Sequence, residues 1–256
     1  MLVLCTDTLK GYGLNRIFEF AKDGGYDGID LQMDSHNYDT LNKEYIKRIS
    51  DETGVPVKCV STDTNAGSKE ILDAVDLAKL LGAKVVVVQS PKILNFKYTN
   101  WLKTEVPKIR ERERISIALE NAPASTLLGF IPEHSMANIG EMKKFKHACL
   151  DTSRVAEKHQ DLMRTYSTLK KYLVHIHISN VFKGKKYFRL DEGILPLESF
   201  LTKLKQDDYQ GYVSVKISPK FIKAGEDSKM LKYLKDFKGF YSSYFEKIDV
   251  KQDAAS

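Results

Sequence analysis

The sequence predicts a single-domain (β/α)8 barrel, and three observations carry that prediction. Eight short runs rich in β-branched and apolar residues recur roughly every 25 to 40 residues, the length of one strand–helix unit. Amphipathic segments, several closed by glycine, stand between them, which argues for crossover helices and a parallel sheet. The chain has 256 residues, enough for one large core and within the usual span of such barrels.

Taken in order, Leu2 to Cys5 form the first strand, and Thr6 and Asp7 follow at once, so the N-terminus reads as a strand rather than a secretion signal. A helix over Leu14 to Lys22 ends at Gly24-Gly25, and Gly28 to Leu31 form the second strand. A helix over Leu41 to Glu52 ends at Gly54 before the third strand, Val57 to Val60. Ser68 to Leu81 place Ile71, Leu72, Val75 and Ala78 in one broad stripe, and Gly82 stands where a helix C-cap wants it. The fourth strand is Lys84 to Val88, followed by a helix over Asn100 to Glu113 and a fifth strand over Ile115 to Leu119. His147 to Leu150, Leu173 to Ile178 and Tyr212 to Ile217 complete the eight, and Pro196 opens a helix that runs to Leu204. The barrel is expected over residues 1–246, with a polar tail at 247–256.

Composition narrows the class of protein. Hydrophobic residues make up 42% and charged residues 29%, and no apolar run approaches the roughly 20 residues a membrane helix needs, so no membrane partner is expected. The three cysteines, Cys5, Cys59 and Cys149, each lie in an apolar stretch without metal-ligand spacing, which points to buried free thiols in a reducing, cytoplasmic compartment. A net charge of +6 set against 40 basic and 34 acidic residues gives no reason to expect a nucleic-acid partner.

Chemistry in a barrel of this kind sits where strands run into loops, at the C-terminal face. The fifth strand ends in Leu119-Glu120-Asn121 and the sixth in Leu150-Asp151-Thr152. The seventh carries His175 and His177 on one face, of which one should point inward, and the eighth carries Lys216 among apolar neighbours. Burying such charges unpaired costs several kcal/mol, so they must meet one another, a metal or a substrate. A fixed ion-pair cluster capping the barrel and a functional site both satisfy that demand. His36 after the second strand and Gln89 after the fourth lie on the same face and suit hydrogen bonding to a polyol. The basic stretch Lys183, Lys185, Lys186 and Arg189 follows the seventh strand, where a phosphate is often held, although a solvated surface loop explains it equally well. The apolar loop from Asn121 to Pro132 reads either as a lid or as a contact in a homodimer. His134, His147 and His159 read as structural or surface residues, and Trp101 as packing.

In this setting the chain resembles the xylose isomerase-like superfamily over nearly its whole length. The resemblance rests on Gly25-Tyr26-Asp27-Gly28-Ile29-Asp30-Leu31, Leu119-Glu120-Asn121, Leu150-Asp151-Thr152, His177-Ile178-Ser179-Asn180, Asp191-Glu192-Gly193 and Gly211-Tyr212-Val213-Ser214-Val215, in order and one per unit. It implies a divalent cation (Mn, Mg, Co or Zn) held by a Glu, an Asp, a His and a final Glu on the last four strands. Glu120, Asp151 and His177 match the first three positions, and Lys216 falls on the fourth, where an ammonium cannot coordinate while protonated. Arg154, Asn180 and Asp191 stand where the resemblance leads one to expect His, Asp and Gly. The expectation is that Lys216 takes the metal's place and pairs with Glu120 and Asp151.

The resemblance implies a sugar or sugar-phosphate isomerase or epimerase acting on a small polyol. Glu120 is then expected as base and Lys216 as electrophile, with His36, Gln89, Arg154, Asn180 and Lys185 binding substrate. A catalytically silent barrel that binds a ligand or partner through the same mouth is the alternative. A nuclease of the endonuclease IV kind is disfavoured, because Gln89 falls near a histidine ligand position and a multinuclear zinc cluster is rich in His and acidic ligands, whereas of the six histidines only His36 and His177 are well placed.

Overall fold

Alternation along each strand decides which side chains enter the barrel. The computed structural model describes residues 1–246, so the tail expected at 247–256 lies outside the described residues. Its strands are β1 (Leu2–Cys5), β2 (Ile29–Gln32), β3 (Val57–Ser61), β4 (Val85–Val88), β5 (Ser116–Glu120), β6 (Thr126–Leu127), β7 (Ile131–Pro132), β8 (Ala148–Asp151), β9 (Leu173–Ile178), β10 (Asn180–Phe182), β11 (Lys185–Phe188) and β12 (Tyr212–Val215). Eight of them close in the order β1-β12-β9-β8-β5-β4-β3-β2, every pair parallel, with Leu4 opposite both Val215 and Ile29 at the seam. The expected single-domain (β/α)8 barrel is therefore present, with all eight strands within a residue or two of their expected bounds.

Outward-facing residues such as Leu2, Leu4, Ile29, Leu31, Ile117 and Leu119 form the main core with the helices. Inward-facing Cys59, Val85, Val87, Ala118 and Cys149 form a second, smaller cluster inside the barrel, closed at the N-terminal end by Val174 and Tyr212. The three cysteines are buried and free, as their neighbours suggested. Two residues further along, the inward positions are all polar: Ser61, Gln89, Glu120, Asp151, His177 and Lys216 follow Cys59, Val87, Ala118, Cys149, His175 and Ser214. The barrel interior is thus partly apolar below, where Asp30, His175 and Ser214 are the polar exceptions among these strands, and charged above.

Local differences have local causes. The helix expected over Asn100 to Glu113 is two helices, Phe96–Thr104 and Val106–Glu113. Pro107 lacks an N–H and its ring crowds the carbonyl four residues back, so it starts a helix instead of continuing one. The helix expected from Leu41 begins at Lys43, where the Asn42 side chain caps it by accepting from the Tyr45 N–H. Two hairpins, β6–β7 and β10–β11, rise from loops at the C-terminal ends of β5 and β9. Trp101 packs half-buried on the core and stacks on Tyr98. Among the described residues no helix is long and apolar enough to cross a membrane.

Candidate functional site at the barrel mouth

Register brings the polar ends of the strands together. Asp151 on β8 and Ser214 on β12 both pair with His177 on β9. Lys216 Nζ lies 3.4 Å from Glu120 Oε1, 3.9 Å from Asp151 Oδ2 and 3.3 Å from His177 Nδ1. Arg154 Nη1 lies 2.8 Å from Glu120 Oε2, an ion pair without aligned hydrogen-bond geometry, so Oε2 has no hydrogen-bond partner. The same Nη1 donates to Gln89 Oε1 at 3.0 Å and to the Asn121 carbonyl at 2.9 Å, which aims the guanidinium.

Beneath this layer stands Asp30, a residue to which the sequence reading gives no role. Its Oδ2 meets His175 Nε2 at 3.1 Å and His177 Nε2 at 2.9 Å and accepts from Ser214 Oγ at 2.8 Å, while Oδ1 accepts from Ser61 Oγ. Both histidines, rather than one, therefore point inward. The available signal was a carboxylate between Ile29 and Leu31 with inward parity.

Burial and charge together set the protonation of these groups. Burial pushes Glu120 up, but Arg154, Lys216 and His177 outweigh it and hold the carboxyl well below its ordinary value. For Lys216 burial works the other way, and Glu120, Tyr187 and Asp151 keep the ammonium well above the usual range. Burial also opposes a charged His177, yet its pKa lies well above the usual one because the carboxylates of Glu120 and Asp30 sit on its two nitrogens. Cys149, near the same ring, is pushed up to about 11 by burial and remains a neutral thiol. Burial lowers His175, which stays neutral. Three carboxylates, Asp30, Glu120 and Asp151, thus face three cations, Lys216, Arg154 and His177.

That balance bears on metal binding. Ligand atoms of Glu120, Asp151 and His177 lie within 4.8 Å of one another, as a cation site requires. Metal–ligand distances near 2 to 2.5 Å would bring a cation there into the space of the Lys216 ammonium. With Lys216 charged, these residues do not fit a divalent ion.

A cavity of about 560 Å³ opens above this cluster, and Gln89, Arg154, Tyr187, Lys216 and His36 border it. Lys216 and Arg154 retain 8% and 6% exposure, whereas Glu120 and Asp151 retain none and do not border the cavity. The expectation of Glu120 as base thus meets a steric obstacle, since the two cations lie between it and any ligand. Tyr187, which the sequence reading passed over, adopts a left-handed backbone with φ of 54°, held by Ser153 Oγ and the Ser218 N–H. Lys216 Nζ sits 5.8 Å from its ring centre.

Other expected site residues fall elsewhere. Asn180 is buried, and its Oδ1 accepts from the Val181 and Leu195 N–H groups, stapling the loop against Gly193 where a Cβ would collide. Lys185 is exposed on β11 and does not border the cavity. Its neighbours in the basic stretch are engaged, Lys186 with Glu157 and Arg189 with Asp191 and Glu192. No residue of 121–132 borders the cavity; its hairpin ties instead to the loop after β4 through Ile93 N–H and the Glu133 carbonyl. A second cavity, of about 510 Å³, lies at the opposite, N-terminal face beside Lys84 and Tyr212, away from the buried charges.

Comparison with known proteins agrees with this architecture. A family profile described as xylose isomerase-like TIM barrel matches residues 18–234. No curated protein matches the sequence. Among solved structures, a D-tagatose 3-epimerase-like protein is 17% identical over 93% of this chain and 99% of its own, with a TM-score of 0.65. The 3-keto-D-glucoside 4-epimerase of E. coli is 15% identical over 92% and 98% of the two chains, TM-score 0.69. A probable 3-DHS dehydratase from Bacillus anthracis is 14% identical over 93% and 99%, TM-score 0.69. At these identities the likeness is one of fold.

Proposed function

From the premise that the chain belongs to the xylose isomerase-like TIM barrel family, we propose that its mouth is the site of a sugar isomerase or epimerase acting on a small polyol or its phosphate. In this reading the Lys216 ammonium stands in for the metal. The observation that supports it is the position of Lys216 Nζ, 3.3 to 3.9 Å from three would-be ligand atoms yet still bordering the cavity. An ammonium and a guanidinium side by side polarise a carbonyl and stabilise the oxyanion that forms when the neighbouring carbon loses a proton. Gln89 orients Arg154 for that task, and a cavity of about 560 Å³ suits a monosaccharide. Solved structures of the same fold include proteins described as D-allulose 3-epimerase and L-ribulose 3-epimerase, which favours a sugar over other polyols.

The test is turnover by chelator-treated protein on ketoses and aldoses, free and phosphorylated. Interconversion that survives chelation and disappears in Lys216→Gln is expected; failure to convert any of them would sink the reading. A second reading, a silent barrel that only binds a ligand, draws on the full burial of Glu120 and Asp151. Calorimetric binding of a sugar without turnover would favour it.

A further inference from the structure

Most charged groups bordering the mouth are already engaged. Lys10 Nζ holds Asp34 at 2.8 Å, and the His36 N–H donates to the same carboxylate at 2.9 Å. Asp63 accepts from the N–H of Thr64 and from Ser35, while Arg154 and Lys216 face Glu120. Asp7 differs. It borders the cavity and is partly buried, and among the described residues no hydrogen bond or ion pair engages its carboxylate.

Its placement follows from β1. Leu2 and Leu4 belong to the outer core, so Val3 and Cys5 face the axis, and Asp7 comes two residues later in the 3-10 turn Thr6–Leu9. Thr8 in that turn donates to the Val215 carbonyl at 2.8 Å and accepts from the Ile217 N–H at 3.1 Å. The turn is thereby fastened to both flanks of Lys216. Burial raises the Asp7 carboxyl above its usual value, Lys216 and Lys10 draw it back, and Asp30 and His177 act on it more weakly from below. A carboxylate with little to stabilise its charge is a stronger base than one in an ion pair.

We propose that Asp7 is the proton-transfer group of the mouth, acting on the carbon beside a carbonyl held by Lys216 and Arg154, and that the compound turned over is a small α-hydroxycarbonyl sugar passing through an enediol. The inference rests on the isomerase reading above and narrows it. Asp7 takes the proton from the hydroxyl-bearing carbon. That C–H pair becomes the C=C bond, and the carbonyl pair moves to oxygen, whose negative charge the Lys216 ammonium and the Arg154 guanidinium stabilise without giving up a proton. In the second half the proton of the neighbouring hydroxyl passes to that oxygen as the new carbonyl forms, and Asp7 returns its proton to the former carbonyl carbon. Nothing is oxidised overall and no co-reactant is needed. One carboxylate serves one face of the enediol, so the reaction is a carbonyl shift between adjacent carbons rather than an inversion.

The test is proton NMR in D2O, following deuterium entry next to the carbonyl of erythrulose, xylulose and fructose and their aldose counterparts, free and phosphorylated. Wild-type protein is expected to exchange at least one of them. Asp7→Asn, nearly isosteric, is expected to slow exchange by about 10²- to 10⁴-fold while sugar affinity by calorimetry changes less than about threefold. Formate is expected to restore exchange to Asp7→Ala, which a merely structural role would not allow. Exchange by Asp7→Asn within about threefold of wild type overturns the assignment of Asp7 and leaves the isomerase reading standing. Loss of affinity together with no rescue by formate also overturns it. A wild type inert toward every compound overturns the underlying reading, and this inference with it.

Discussion

Replacing Lys216 by glutamate tests the central electrostatic claim, that an ammonium fills the place of a divalent ion. At 3.4 Å from Glu120 and 3.9 Å from Asp151, Lys216 attracts each carboxylate by about 4 to 5 kcal/mol at an effective dielectric of 20. Desolvation and the neighbouring Arg154 offset much of that, and removing one partner of a buried pair typically costs about 3 to 5 kcal/mol net. For a domain of this size that corresponds to a fall in melting midpoint of roughly 6 to 20 °C, which Lys216→Met should show. Lys216→Glu restores the four ligand types that the resemblance implies, but it shifts the charge by two units where Lys216→Met shifts it by one, so without metal it should be destabilised further. Manganese or zinc at 100 times its dissociation constant should return about 2.7 kcal/mol to that variant, a rise of roughly 5 to 10 °C. The assay is a thermal melt of chelator-treated protein with and without manganese, magnesium, cobalt and zinc. A comparable metal-induced rise in the wild type would refute the reasoning, as would a Lys216→Met midpoint within about 2 °C of wild type.

Three further outcomes follow from the same geometry. Glu120→Gln leaves Arg154, Lys216 and His177 without their shared carboxylate and should cost about 3 to 5 kcal/mol in urea unfolding, although Glu120 does not border the mouth cavity; a loss below about 1 kcal/mol would contradict the network. Asn180→Asp should cost about 1 to 3 kcal/mol, because it keeps the acceptor for the Val181 and Leu195 N–H groups but loses the Nδ2–H that faces the Leu195 carbonyl and buries a charge, and Asn180→Ala, which loses the acceptor, should cost about 1 to 3 kcal/mol and leave sugar affinity unchanged. His147 is lowered to about 4 by burial, helped by Arg110 and Lys146, and its Nδ1 has no partner. The unfolded chain, with its histidine near 6.5, then binds more protons between about pH 4 and 6.5, so the stability tied to the neutral ring is complete above that window and is lost as pH falls through it. The residue is only partly buried, which reduces the effect to about 1 to 2 kcal/mol, and His147→Gln should remove it from the difference between unfolding at pH 7.5 and pH 5.

The barrel was legible in the sequence because its signals are local. Period-two alternation, helical stripes and glycine C-caps such as Gly54 and Gly82 act within a few residues, and each strand must bury its outward face on a helix. The candidate mouth was legible for a related reason: a carboxylate, imidazole or ammonium in an apolar strand must face something that pays its desolvation, so Glu120, Asp151, His177 and Lys216 announced themselves. Only the tertiary structure decided what they face. Register across β8, β9 and β12 sets Lys216 among three ligand atoms, and the burial of Glu120 beneath Arg154 and Lys216 depends on side-chain length and direction that spacing does not encode. Asp30, a single acid within β2, takes its partners from residues up to 184 positions away, as in the bond from Ser214, and Asp7, just past β1, stands out only by bordering the cavity without a partner, so in neither case did spacing assign the role. Asn180 and Lys185 show the converse, since residues of suitable chemistry just past a strand end were turned by the β10–β11 hairpin into a backbone staple and an exposed side chain.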